Sequence, residues 1–278
     1  MKDLYSLEGI SKQAHHKAIV RKRWLEETEQ TILLCVESLR KDHPRMGAKK
    51  LYKLLQPDGV GRDRFIELLM DNGYASKRVR NYTRTTYSGK YHYPNLISGR
   101  ILTGVNQLWV SDITFIWVDQ RWHYLTFIMD VYSRKIVGYA VDKHLHAQAN
   151  IRALQMALKN IKGKSLKGLI HHSDRGSQYI HKQYLELLKE HDIEVSMGNK
   201  AWENAHAERI NGIIKNEYLN PMQIKNYEEL KRKVRKVVSL YNNERPHGSL
   251  MNQLSPVKYE CFVQQLAAEQ KPQLMINY

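Results

Sequence analysis

Asp112 interrupts a stretch, residues 108–117, in which Leu108, Val110, Thr114 and Ile116 alternate with Trp109, Ile113, Phe115 and Trp117. Asp is disfavoured in strands, and in one that is apolar on both faces its charge needs partners. Asp174 directly follows a short apolar run, in His171-His172-Ser173-Asp174-Arg175-Gly176, so it projects from the carboxyl end of a strand, where sheet proteins favour active sites. Glu208 lies on a helix that reads from 204 to 218. Each has an ordinary alternative: an Asp bonded to sheet amides, an Asp-x-Gly turn, a solvated helix-surface Glu. Together, two carboxylates on neighbouring strands and a third on a packed helix can converge on one pocket, and converging carboxylates attract hard divalent cations. Mg2+ prefers oxygen ligands and keeps several waters, which suits a site that must also accept phosphate oxygens. In a two-ion site the ions lie about 4 Å apart, one activating the attacking oxygen and the other stabilising the leaving oxygen.

The substrate follows from charge. The chain has 278 residues, with 44 Lys+Arg against 28 Asp+Glu and a net charge of +16. A basic excess of this size points to nucleic acid as partner. Hydrophobic residues make up 42 %, too many for a disordered chain and enough for one large domain or two smaller ones. No run approaches the roughly 18 apolar residues of a membrane span, and the start lacks an apolar signal core; a soluble, cytoplasmic, nucleoid-associated protein is expected. The two cysteines, Cys35 and Cys261, form no C-x-x-C pair and suggest neither disulfide nor zinc.

The elements that must position these groups change character along the chain. Up to residue 81 the pattern is helical: Ser11 can cap a helix running toward Trp24, and Ile32, Leu33, Val36 and Leu39 share one face of a next one. Between 48 and 72 two short helices are split by Gln56-Pro57-Asp58-Gly59, as in a helix-turn-helix, with Arg62 and Arg64 on the second placed to contact DNA. Residues 82–104, rich in Tyr, Thr, Ser, Gly and Pro, read as an extended linker. Over 105–222 the order is three strands, then alternating helices and strands, with a turn at Asp119-Gln120; this implies a mixed sheet flanked by helices. Residues 223–278 form a basic, helical C-terminal region and tail.

The segments Trp109-Val110-Ser111-Asp112-Ile113-Thr114, His172-Ser173-Asp174-Arg175-Gly176-Ser177-Gln178-Tyr179 and Asn204-Ala205-His206-Ala207-Glu208 closely resemble the catalytic core of bacterial insertion-sequence transposases, above all the second-reading-frame (OrfB) products of the IS3 family. That core is similar to the core of retroviral integrases. Residues 129–138, Met-Asp-Val-Tyr-Ser-Arg-Lys-Ile-Val-Gly, and Tyr241-Asn242-Asn243-Glu244-Arg245-Pro246-His247 carry the resemblance further. It implies a ribonuclease-H-like α/β fold with a five-stranded mixed sheet, preceded by the helical DNA-binding region. It also implies Asp112, Asp174 and Glu208 as catalytic triad and metal ligands for two Mg2+ ions, with Mn2+ able to substitute. The interval from Asp174 to Glu208 holds 33 residues, two fewer than the family pattern, and the shortfall falls in the loop around 198–202. Glu203 and Glu217 are the rivals for the third position.

The expected activity is binding of the element's terminal inverted repeats, cleavage of one strand to free a 3′-hydroxyl, and its transfer into target DNA. The expected state on DNA is a homodimer or larger assembly, and the family implies an upstream-frame OrfA partner. Lys215, seven residues after Glu208, shares its helix face and can touch the phosphate being cut. Lys231, Arg232, Lys233 and Arg235 can hold DNA nonspecifically or be a solvated helix face. Asp130 reads as structural, and His171 and His172 as contacts rather than metal ligands. Two alternatives stand: a catalytically silent DNA-binding regulator and, less favoured before so basic a helical region, a ribonuclease of the same fold.

Overall fold

The computed structural model describes residues 11–74, 93–161 and 166–277. The chain divides into two compact units, residues 1–77 and 78–278.

In the first unit, helix α1 (Lys12–Asp42) starts at Ser11, whose hydroxyl accepts from the Ala14 amide. Two helices are expected here, but α1 runs unbroken past Trp24, because residues 24–32 contain good helix formers and no Gly or Pro. Helices α2 (Ala48–Leu55) and α3 (Arg62–Asp71) follow, and the chain reverses between them through left-handed Gln56 and Gly59. Ile32, Val36, Leu51, Phe65, Leu68 and Leu69 make a separate small core.

In the second unit, residues 82–92 of the expected linker lie outside the described residues. From Tyr93 onward the chain packs on the sheet domain: Ile97 and Leu102 are buried in its core. Strand β1 (Ile101–Leu102) pairs antiparallel with β7 (Leu274–Met275), so the C-terminal tail is also drawn back onto this unit. The main sheet comprises β2 (Leu108–Val118), β3 (Arg121–Asp130), β4 (Ile136–Asp142), β5 (Ile170–Ser173) and β6 (Glu194–Met197). Its order is β4-β3-β2-β5-β6, with β2 to β4 an antiparallel meander and β5 and β6 parallel to β2. This is the five-stranded mixed sheet flanked by helices that the sequence leads one to expect. The hairpin turn puts Asp119 and Gln120 both at positive φ, 51° and 56°, the twist that a two-residue connection requires.

Period-2 alternation along β2 feeds two cores. Leu108, Val110, Ile116 and Val118 face helices α6 (Ala205–Ile213), α7 (Tyr227–Asn243) and α8 (Pro256–Gln264). Trp109 and Ile113 face α4 (Ala147–Lys159) and α5 (Lys182–Glu190). Gly138 on β4 lets α4 approach so closely that a Cβ there would run into the Ala153 carbonyl. The expected single helix over 204–218 instead begins as a 3-10 turn, Ala201–Asn204, becomes α6, and widens into a π-helical stretch, Ile214–Leu219. Among the described residues no helix is long and apolar enough to cross a membrane.

Candidate active site

The register of the parallel pair builds the site. The last paired residues of β2 and β5 are Ser111 and Ser173; Asp112 comes next on β2 and Asp174 is the first residue beyond β5, so both carboxylates leave the paired register at the same end of the sheet. Helix α6 lies across β2 and is stitched to it. Asn204 Nδ2 donates to the Ser111 carbonyl (3.0 Å), and Asn211 Nδ2 donates to Asp112 Oδ2 (2.9 Å), with Glu208 between them on the same face. The Ile113 amide holds the other Asp112 oxygen at 2.9 Å, and Asp174 Oδ1 accepts from the Gly176 amide at 3.0 Å.

The three carboxylates act on one another. Burial, then the charge of Asp174 and more weakly that of Glu208, push Asp112 up to about 8, against the opposing bonds from Ile113 and Asn211. Glu208 is also raised, first by desolvation and then by Asp174. The two rivals are engaged elsewhere. Glu203 caps its own loop, accepting from the Asn199 amide (2.5 Å) and Asn95 Nδ2 (3.2 Å). Glu217 makes a two-pronged ion pair with Arg245 of the Tyr-Asn-Asn-Glu-Arg-Pro-His segment, at 2.8 Å on both bonds. Among the described residues no three His, Cys, Asp or Glu side chains are already gathered into a metal cage. The donor set is nonetheless all oxygen, concentrated and self-repelling, which is what a hard divalent cation neutralises.

The other predicted residues fall into different settings. Lys215 sits at the start of the π-helical stretch with its ammonium 4.7 Å from the Phe115 ring centroid; desolvation lowers its pKa. Lys231, Arg232 and Arg235 are exposed on α7 and Lys233 is half-buried, while Val234, Val237 and Val238 point into the core. Arg62 donates to neighbouring Asp63 (2.8 Å), and Arg64 is tied to Glu29 of α1 at 2.6 Å, so both expected DNA contacts are engaged in ion pairs. Asp130 is buried as a turn staple, accepting from the Asn106 amide and from the Ser133 amide and hydroxyl; burial raises it to about 6. His171 and His172 bond Tyr184 and Ser196 and are held neutral by burial, at about 3 and 4. Both cysteines are free thiols. Sequence reasoning missed Asn204 and Asn211, although their i, i+4, i+7 spacing with Glu208 makes a polar stripe on an otherwise apolar helix face.

Two models described as integrase core domain match residues 103–201 and 190–256. The 31-kDa protein of insertion element IS600 of Shigella sonnei is 34% identical over 80% of this chain and 84% of its own. The transposase for insertion sequence element IS629 of the same organism is 31% identical over 81% and 75%. The transposase InsF for insertion sequence IS3A of Escherichia coli is 34% identical over 57% and 55%. Among solved structures, the HTLV-2 integrase catalytic core domain in complex with magnesium superposes with a TM-score of 0.45 at 17% identity, over 60% of this chain and 99% of that one.

Proposed function

The chain belongs to the insertion-sequence transposases of the IS3 family, built on an integrase core, and from that premise we propose that it cleaves one DNA strand at the ends of its element and joins the freed 3′-hydroxyl to a target strand. The observation that carries this reading is the placement of the third carboxylate: of Glu203, Glu208 and Glu217, Glu208 shares the helix face of Asn204 and Asn211, which bond β2 at Ser111 and Asp112, while Glu203 and Glu217 are engaged by Asn199 and Arg245.

Asp112, Asp174 and Glu208 would hold divalent cations, Mg2+ by the hardness of their oxygens, with Mn2+ able to substitute. Bound there, such ions supply Lewis-acid activation of the attacking oxygen and neutralise charge on the phosphodiester. The chain's own residues orient and bind. Asn211 fixes the Asp112 carboxylate through the bond to Oδ2. Lys215, a cation partly shielded from water, is suited to a phosphate oxygen of the same strand. In the first step water oxygen bonds to phosphorus and the 3′-oxygen leaves, taking up a proton. In the second, that hydroxyl attacks a target phosphodiester, whose own 3′-oxygen departs, so no covalent protein intermediate is needed. Two ends must be held at once, so at least two chains are expected to assemble on DNA; whether an OrfA protein joins them belongs to the same proposal.

The test is a labelled duplex carrying the element's terminal sequence, incubated with Mg2+ and either the native chain or Asp174→Asn. Cleaved and joined strands from the native chain alone are the expected result. Binding without cutting by the native chain, both alone and with an upstream-frame OrfA protein added, overturns the reading in favour of the DNA-binding regulator.

A further inference from the structure

Among the described residues, β2 has no strand partner on its β5 side beyond Ser111, and β3 has none on its β4 side before Tyr124. Residues 115–123 are therefore a two-stranded ribbon standing out from the sheet. One face of it is buried: Ile116, Val118 and His123 lie inward, with the His123 ring stacked on Tyr227 at 5.4 Å. The other face is aromatic and open. Trp117 and Trp122 oppose one another across the strands, as do Phe115 and Tyr124. Trp122 meets Trp117 edge-on at 4.9 Å and Phe115 at 4.8 Å, yet Trp117 remains 55% and Trp122 47% exposed.

Two large exposed indoles on a ribbon fixed by a tight turn are a rigid apolar surface that water solvates poorly. At the ribbon's tip the charge is mixed, with Asp119 and Arg121 both exposed, and toward the carboxylate site it is positive, where Lys215 lies over Phe115. Planar aromatic surface beside cations is the chemistry that binds unpaired bases and their phosphates. The platform is also continuous with the site: Phe115 and Trp117 are three and five residues along the strand from Asp112, about 10 and 17 Å. Strand alternation turns them to the opposite face from Asp112, but Lys215, rooted on the element that continues from Glu208, reaches Phe115. A strand led from the carboxylates past Lys215 arrives at the indoles.

We propose that Phe115, Trp117 and Trp122 form a stacking platform for unpaired bases a few nucleotides from the phosphate being processed, with Lys215 holding the intervening backbone. This deepens the transposase reading and rests on it.

The test uses the full chain carrying Asp174→Asn, so that binding is read without cleavage, and an oligothymidylate of about 20 nucleotides as probe. Replacing Trp117 and Trp122 together by Ala is expected to weaken oligothymidylate binding roughly tenfold or more, with mixed-sequence duplex binding and competition by inorganic polyphosphate little changed. Trp117→Phe with Trp122→Phe is expected to retain most of the affinity, since the stacking surface persists. Unchanged binding by the Ala variant overturns the proposal, as does an equal loss toward polyphosphate, or equal loss in the Ala and Phe variants. A DNA-free oligomer of the native chain that the Ala variant disperses overturns it in favour of self-association. Failure of the transposase reading registers separately, as absence of cleavage by the native chain both alone and with an OrfA protein added.

Discussion

Asp112 has to stay ionisable in a place that disfavours its charge. Because its pKa is raised above the unfolded value, the fold prefers the protonated acid; its contribution is complete below about pH 4 and is lost as pH climbs toward 8. In EDTA, Asp112→Asn should therefore melt a few degrees above the native chain at pH 8 and lose that advantage near pH 5, measured by scanning calorimetry; a difference independent of pH contradicts this. The substitution is accommodated because Asn211 can turn its amide, whose Oδ1 is buried and makes no hydrogen bond, toward the new amide. The same variant should lose cleavage by several orders of magnitude while binding DNA normally. Stability gained where activity is lost is the signature of a charge kept for function.

At the scale of elements, helix α6 and its π-helical continuation carry Glu208, Asn211 and Lys215 together, and the continuation is clamped from the far end of the chain. Arg245, only 3% exposed, grips Glu217 with both prongs. Asn242, three residues before it, bonds both the amide and the carbonyl of Ile136 on β4, at 2.9 Å each. The conspicuous Tyr-Asn-Asn-Glu-Arg-Pro-His segment is thus a brace rather than a set of reacting groups. Arg245→Leu should cost roughly 3–5 kcal/mol, because Glu217 is left with an uncompensated, half-buried charge; the double variant with Glu217→Leu should recover much of it. Urea denaturation of the two variants decides. On α7 the exposed Lys231, Arg232 and Arg235 stand opposite a valine-lined core face. Replacing all three by Gln should lower the slope of log affinity against log salt by up to about 0.9 for each phosphate they neutralise, with little effect on melting.

For the whole molecule, the two units have separate hydrophobic cores, and the charge of +16 is spread over both. Residues 1–77 hold 15 basic and 11 acidic residues, and residues 78–278 hold 29 and 17. Deleting residues 1–77 should leave a chain that still unfolds cooperatively, because its sheet, five flanking helices and β1–β7 pairing are intact. That chain should bind duplex DNA more weakly and with less discrimination for the element's ends, as read by competition with unrelated duplex. Loss of cooperative melting would instead mean that the units depend on one another.

The sequence by itself determined the sheet. Unbroken period-2 runs, the Asp119-Gln120 turn and three ordered carboxylate motifs were legible because strand pairing and turn chemistry are local and repeat every two residues. Asp112 stood out for the same reason, as a charge where the alternation demanded apolar side chains. Position along the chain could not decide among Glu203, Glu208 and Glu217 without the family resemblance. Tertiary structure gives Glu203 and Glu217 other partners, Asn95 and Arg245, which come from residues 108 and 28 positions away. Packing likewise absorbed residues 93–104 and the C-terminal tail, which read as linker and extension, since burial of Ile97, Leu102 and Ile276 brings distant stretches of the chain together. The pairing of Arg64 with Glu29 was equally out of reach. Long-range partners reassign side chains whose local pattern is silent, and only the folded chain brings those partners together.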